Sequence, residues 1–348
     1  MPTSIREHLE ANEQKILAAR AQRVTATRGR ERPEPEDDMR TAFQRDRDRI
    51  LHSNSFRRLK HKTQVFLAPE GDHYRTRMTH TLEVSQVART MARCLSLNED
   101  LTEAMALGHD LGHTPFGHAG EHTLAHLAPG GFHHARQSVR VVEQLEKDGA
   151  GLNLTFEVRD GILKHSKGKG PILSDKANTA LTLEGQVVRI ADIVAYVNHD
   201  LEDAIRAQLV RTDEIPLAIR SALGESKSER LRALVLAVVE GSPDTREKIG
   251  MNEEVLAGLI ALRDYLYEKV YDAPIVKGEF EKAERVLVEL WNYFHSHTDE
   301  FRAKYWLPST REEEGIDRAA TDFIAGMTDR YALRLYEELL LPRRWAVY

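Results

Sequence analysis

Residues Glu184 to Ala207 carry apolar side chains on nearly every side of a helix and leave a single polar stripe. That pattern belongs to a helix buried within its own protein, with a functional face along the stripe. A buried helix needs other elements around it, and the rest of the chain offers mostly helices. Arg77 to Leu95 gathers Met78, Leu82, Val84, Val87, Ala88, Met91 and Leu95 on one face. Leu101 to Leu111 reads as a short helix running into Gly112 and Pro115, and Gly117 to Leu127 as another, closed by Pro129, Gly130 and Gly131. His134 to Lys147 reads as a further helix. Strand signals are few, and neither hairpin turns nor βαβ spacing recur. The expected fold class is all-α.

The flanks fit that class. Ser4 to Arg23 reads as a charged helix, and Thr25 to Asp38, with its Gly, Pro and Glu residues, as an extended arm. Beyond Ile215, helical segments recur at Ser228–Glu240, Asn252–Val270 and Glu279–His295. The expected organisation is an N-terminal helix and arm over 1–40, a chemical core over 41–210, and a helical region over 211–348 packed on that core. Lys+Arg number 49 against Asp+Glu 55, so a net charge of -6 lends no support to nucleic acid binding. The single cysteine, Cys94, excludes an intramolecular disulfide and a cysteine-based zinc site. Met1 to Arg20 lacks the apolar core of a signal peptide, and no apolar run approaches the roughly 18 residues that cross a bilayer. A cytoplasmic protein without membrane contact is expected.

Histidine is where the chain is unusual. Seven of its 16 histidines lie between His109 and His134, where an even spread would put about one. Within that stretch His109-Asp110 is an adjacent imidazole and carboxylate, a pair suited to borderline or hard divalent metals. The dipeptide alone is weak evidence. His80 on the preceding helix and Asp192 on the buried one would complete four ligands. Among the apolar neighbours of Asp192 an unpaired carboxylate would be costly. Its alternative is a buried salt bridge with Arg77 or Arg189.

These blocks resemble a known family. GHDLGHTPFGHAGE, EGDHYRTRMTHTLEVSQVAR, RIADIVAYVNHDLEDA and RTAFQRDRDRILHSNSFRRLKHKTQVF are similar to the dGTPase-like HD-domain triphosphohydrolases, over about Arg28 to Arg206. The resemblance implies an HD-domain helical bundle with additional N- and C-terminal helices. It implies hydrolysis of deoxynucleoside triphosphates to deoxynucleoside and inorganic triphosphate, with His80, His109, Asp110 and Asp192 as metal ligands.

That reaction needs an activated water, neutralised phosphate charge and a proton for the departing oxygen. His118 and Glu121 stand three apart on one helix, so the carboxylate is expected to hold the imidazole and raise its pKa. The resemblance makes this pair its catalytic histidine and acid, and His134 a second active-site histidine. The alternatives are a surface helix pair and a histidine at a helix N-terminus. Arg77, one turn before His80, suits a phosphate clamp or, more blandly, a structural ion pair. His113, four beyond His109, is a candidate phosphate contact. Tyr196 and Asp200 follow Asp192 at i+4 and i+8, within roughly 80° and up to roughly 12 Å along the axis. The resemblance assigns them to the deoxyribose; the alternative is a Tyr–Asp hydrogen bond in the core. Gln64 is a further sugar-site candidate.

The expected cofactor is a divalent ion, for which manganese, iron, cobalt, nickel and magnesium all suit a His/Asp site, with magnesium accompanying the triphosphate. Expected partners are a dNTP substrate and further copies of the chain. The run Arg40, Arg45, Arg47, Arg49, Arg57, Arg58, Lys60 and Lys62 reads as a solvated or ion-paired face. Because comparable segments of the family lie near regulatory nucleotide sites, it is also the candidate site for an activating dNTP. The competing functions are an HD phosphohydrolase acting on another nucleotide (a monophosphate, cyclic nucleotide or alarmone) and a catalytically silent nucleotide sensor.

Overall fold

A computed structural model describes residues 4–65, 74–166, 170–173, 179–245 and 247–342. Among these residues there are sixteen α-helices and no strand. The N-terminal ones are α1 (Ile5–Ile16), α2 (Ala42–Leu51) and α3 (Asn54–Arg58). The central ones are α4 (Arg77–Cys94), α5 (Glu99–Gly108), α6 (Gly117–Leu127), α7 (His134–Arg140), α8 (Phe156–Lys164) and α9 (Leu183–Arg206). The remainder are α10 (Leu217–Leu223), α11 (Lys227–Gly241), α12 (Glu253–Leu266), α13 (Pro274–Ser296), α14 (Thr298–Lys304), α15 (Gly315–Gly326) and α16 (Asp329–Leu340). The all-α expectation is observed.

The long helix α9 is the axis of the body. Val187, Val188, Val194, Val197 and Leu201 are fully buried along it, and α4, α5, α8, α11 and α12 pack around it. Two glycines permit close approaches here. A side chain at Gly161 of α8 would meet the Met105 sulfur of α5 at 2.3 Å, and one at Gly185 of α9 would meet Ala180 at 2.6 Å. Each start is capped: Thr76 accepts from Thr79 N before α4, Asn98 from Leu101 N before α5 and Thr182 from Gly185 N before α9.

A second apolar cluster joins Ala119 and Leu124 of α6 to Leu287, Leu290 and Phe294 of α13, with Phe301, Ile324 and Leu335 closing it. A polar seam ties the same C-terminal helices to the middle of the chain. Asp329, opening α16, accepts from Thr63 N and Phe116 N, both at 2.9 Å. The buried Lys62 ammonium donates to the carbonyls of His113 and Ala325. Two loops that border the histidine-rich stretch are held in this way.

Some helix ends depart from expectation. The helix expected over Ser4 to Arg23 stops at Ile16, because Leu17 turns extended and Ala18 N donates to Ser96 O at 2.8 Å. α5 ends at Gly108, so His109 and Asp110 sit in the turn that follows rather than on the helix. α7 ends at Arg140 and passes into a π turn, Val141–Leu145; Lys147 and Asp148 then adopt left-handed backbone angles as Leu152 N returns to Val142 O.

At the far end of α9 from the histidines, Glu184 is fully buried. Its Oε1 accepts from Asn98 N and Gln22 N, both at 3.0 Å, while Oε2 has no partner among the described residues. Burial pushes its pKa up from 4.5 to about 7. A carboxyl with a higher pKa folded than unfolded binds more protons in the folded state between those values, so it makes stability fall as pH rises from 4.5 to about 7. Glu184→Gln keeps the acceptor and removes the charge. Urea unfolding should show the variant gaining on the parent by up to roughly 3 kcal/mol between pH 5 and pH 8. A gap independent of pH would contradict a buried, titrating Glu184.

Candidate metal centre

Three separate parts of the fold bring four side chains together. His80 projects from the first turn of α4, His109 and Asp110 from the turn after α5, and Asp192 from the middle of α9. His80 Nε2 lies 3.2 Å from Asp192 Oδ1 and 3.8 Å from Asp110 Oδ2. His109 Nε2 lies 3.5 Å from Asp110 Oδ2 and 3.9 Å from Asp192 Oδ1. His109 Nδ1 is 2.7 Å from Ala106 O, which only accepts, so the proton sits on Nδ1 and the Nε2 lone pair faces the carboxylates. That Nε2 is buried without a hydrogen-bond partner.

Both carboxyls stay ionised. Burial alone would raise their pKa values, but for Asp192 the surrounding imidazoles of His80, His109 and His165 outweigh it. For Asp110 the adjacent His109 ring and the Arg77 guanidinium do the same. Two anions and an orphan lone pair within one buried volume form the environment of a divalent cation, and the donor set fits one. The alternative pairing of Asp192 is not observed: Arg77 Nη1 donates to Asp110 Oδ2 at 2.6 Å, and Arg189 Nη2 donates to Pro171 O at 3.2 Å.

The acid–base group differs from the sequence expectation. Glu121 does not hold His118. Its Oε1 accepts from His134 Nδ1 at 2.8 Å and from His134 N at 2.9 Å. The reason is local: His134 opens α7, where first-turn N–H groups lack helical partners, and Glu121 satisfies one of them while gripping the ring. The pKa effects change accordingly. Burial lowers that of His134, but Glu121 more than restores it, so it is raised. The crowded walls of the cleft lower that of His118 instead. The His118 ring makes no hydrogen bond among the described residues; it stands 6.0 Å, between centroids, from His113. His113 is buried, which holds its pKa well down, and its Nε2 is 3.7 Å from Glu121 Oε2.

A cavity of about 390 Å³ opens beside the cluster, within the size range of small-ligand sites. Gln64, Arg77, His80, Asp110, His113, His118, His134, Asp192, Tyr196 and Asp200 all contribute to its wall. Gln64 Oε1 is buried without a partner among the described residues. Tyr196 and Asp200 do not bond to each other; the Asp200 Oδ2 atom accepts from Tyr271 at 2.5 Å, and its Oδ1 lies 2.7 Å from His199 Nδ1.

Sequence reasoning passed over His199, Tyr267 and Tyr271, and left His165 without a role. His165 Nε2 is 3.1 Å from His134 Nε2, and its Nδ1 is tied to Ile162 O at 2.7 Å. His199-Asp200 repeats the dipeptide at 109 and 110, seven residues after Asp192 and so on the same helix face, which was a usable signal. The tyrosines carry no such motif. The first half of the basic run is ion-paired through Arg40–Asp37, Arg45–Glu34, Arg47–Asp100 and Arg49–Glu34, whereas Lys62 at its end is buried against carbonyls and does not belong to a solvated or ion-paired face.

Comparison with known proteins matches the HD domain to residues 77–197 and the phosphohydrolase-associated domain to residues 249–338. A deoxyguanosinetriphosphate triphosphohydrolase-like protein of Caldanaerobacter subterraneus subsp. tengcongensis is 51% identical over 341 residues, covering 98% of this chain and 97% of the relative. Proteins of the same description from Desulfatibacillum aliphaticivorans and Clostridium perfringens are 50% and 48% identical. They cover 97% of this chain in each case, and 99% and 98% of themselves. A solved hypothetical protein from Aquifex aeolicus aligns over 84% of this chain and 70% of its own at 19% identity, with a TM-score of 0.45, too distant to bear on the fold.

The division of the site into ligands and unbonded imidazole has a direct consequence. Asp110→Ala should purify without stoichiometric metal, whereas His118→Ala should retain it and lose turnover. Elemental analysis of the two variants checks this, and a metal-free His118→Ala protein would contradict the division.

Proposed function

The chain belongs to the deoxyguanosinetriphosphate triphosphohydrolase-like family of HD-domain phosphohydrolases, and from that premise we propose that it hydrolyses deoxynucleoside triphosphates to deoxynucleoside and inorganic triphosphate. The observation that carries the reading is the His80, His109 and Asp110 group, with Asp192 Oδ1 3.2 Å from His80 Nε2, beside a cavity whose wall includes Arg77, several imidazoles and tyrosines. We further propose a cytoplasmic homo-oligomer, with 41–210 as catalytic body and 211–348 packed on it.

A divalent ion held by His80, His109, Asp110 and Asp192 would activate a water and polarise a phosphoryl oxygen. The chain's own residues supply the rest. Arg77 spends Nε on Thr63 O and Nη1 on Asp110, which leaves Nη2 hydrogens for the α-phosphate. Glu121 favours the cationic form of His134 beside the phosphates, and His113, its pKa held down by burial, offers a hydrogen bond there. As water attacks the α-phosphorus the bond to the 5′-oxygen breaks, and that oxygen takes its proton from the protonated form of His118, which the lowered pKa makes a minority form at neutral pH. The Tyr196 ring lies against the sugar and leaves no room for a ribose 2′-hydroxyl, while Gln64 Oε1 accepts from a sugar hydroxyl.

An activating dNTP has a candidate site as well. A cavity of about 850 Å³ is lined by Arg40, Arg45, Arg49 and Arg58, and its wall also includes Leu111 and Gly112, which directly follow the His109-Asp110 pair. Occupancy of that cavity would bear on the turn carrying two metal ligands.

Purified protein with Mn²⁺ or Mg²⁺ should convert dNTPs, singly or in mixtures, to equal amounts of deoxynucleoside and inorganic triphosphate, read by ³¹P NMR and chromatography. Orthophosphate or pyrophosphate as product would assign the chain to another HD reaction. Binding with no turnover in any mixture would make it a sensor.

A further inference from the structure

A line of buried polar contacts runs from the cavity wall to the metal cluster. Tyr271 Oη donates to Asp200 Oδ2 at 2.5 Å, Asp200 Oδ1 lies 2.7 Å from His199 Nδ1, and His199 Nε2 lies 2.8 Å from His80 Nδ1. His80, His199 and Asp200 are all 2% exposed or less. The middle contact is short but bent from the ideal hydrogen-bond line, so it acts chiefly through charge.

The direction of every proton follows from one end. Burial first, and the Asp200 charge second, hold the Tyr271 pKa well up, so its hydroxyl is the donor. A carboxylate only accepts, so His199 must present Nδ1–H to Asp200. The remaining lone pair of His199 is then on Nε2 and accepts a hydrogen bond from His80 Nδ1–H. His80 is left with its Nε2 lone pair toward Asp192 and Asp110. With the opposite tautomers, His80 would give Nε2–H to Asp192, but His199 would then turn a lone pair on the Asp200 carboxylate at 2.7 Å.

We infer that His199 is a positioning residue for the metal centre: it transmits the charge of Asp200 to His80 and fixes His80 in the tautomer that can bind a cation. Asp200 thereby serves the metal end of the site as well as the sugar end, and Tyr271 brings the C-terminal region into the same chain. This inference rests on the reading of His80, His109, Asp110 and Asp192 as ligands. Outer partners of metal-bound histidines are generally worth 10- to 100-fold in metal affinity.

The test uses full-length protein titrated with Co²⁺, reading the dissociation constant by chelator competition and the visible d–d band. His199→Leu should weaken Co²⁺ binding by about 10- to 100-fold and shift the band. His199→Gln, whose amide oxygen can accept from His80 Nδ1, should recover most of the affinity. Asp200→Asn keeps His199 and removes only the charge, so it should weaken binding about 10-fold and serves if His199→Leu does not fold. If the parent binds Co²⁺ stoichiometrically while Asp200→Asn and His199→Gln bind it equally with an unshifted band, and any folded His199→Leu does so too, the inference is overturned. If the parent itself binds no stoichiometric ion, it is the four-ligand reading that fails.

Discussion

Two ionised carboxylates and two imidazoles are pressed together where α4, α5 and α9 meet, all but the partly exposed Asp192 buried, and no described residue is a hydrogen-bond partner for His109 Nε2. Burying anions without compensation is expensive, and Arg77 offsets only Asp110. A divalent cation resolves the imbalance. The close packing around α9 bears on the site as well as the core: Gly161 and Gly185 let α5, α8 and α9 approach, which sets the segment of His109 and Asp110 against that of Asp192.

The C-terminal helices take part in the site. Asp329 grips the backbone at Thr63 and Phe116, and Lys62 bridges the carbonyls of His113 and Ala325. Through these contacts α15 and α16 hold the loops flanking Arg77 and His118, and Tyr271 reaches the cavity wall directly. The phosphohydrolase-associated segment thus contributes to the shape of the site, which explains physically why it accompanies the HD domain in one chain.

Much of this was legible in the sequence because it depends on local period. The one-sided stripe of α9 identified a buried helix and put Asp192, Tyr196 and Asp200 on one face, and the His109-Asp110 dipeptide marked the centre of the histidine-rich stretch. What stayed hidden depends on contacts between elements. Helical spacing pairs Glu121 with His118, yet His134 at the start of α7 offers that carboxylate its backbone N–H and its ring Nδ1 at once, and tertiary packing prevails over the i,i+3 relation. The contact that links His199-Asp200 to His80 joins residues 119 positions apart, which no spacing rule reaches. The early ends of α5 and α7 came from chain reversals at Gly108 and after Arg140 that local propensity does not encode.

The most direct measurement of the central claim is anomalous diffraction at the manganese edge from crystals of the full chain grown with Mn²⁺. A single strong peak should appear roughly 2.0–2.3 Å from His80 Nε2, His109 Nε2 and carboxylate oxygens of Asp110 and Asp192. A density peak bound elsewhere, or a cluster still closed on itself at saturating Mn²⁺, would contradict it.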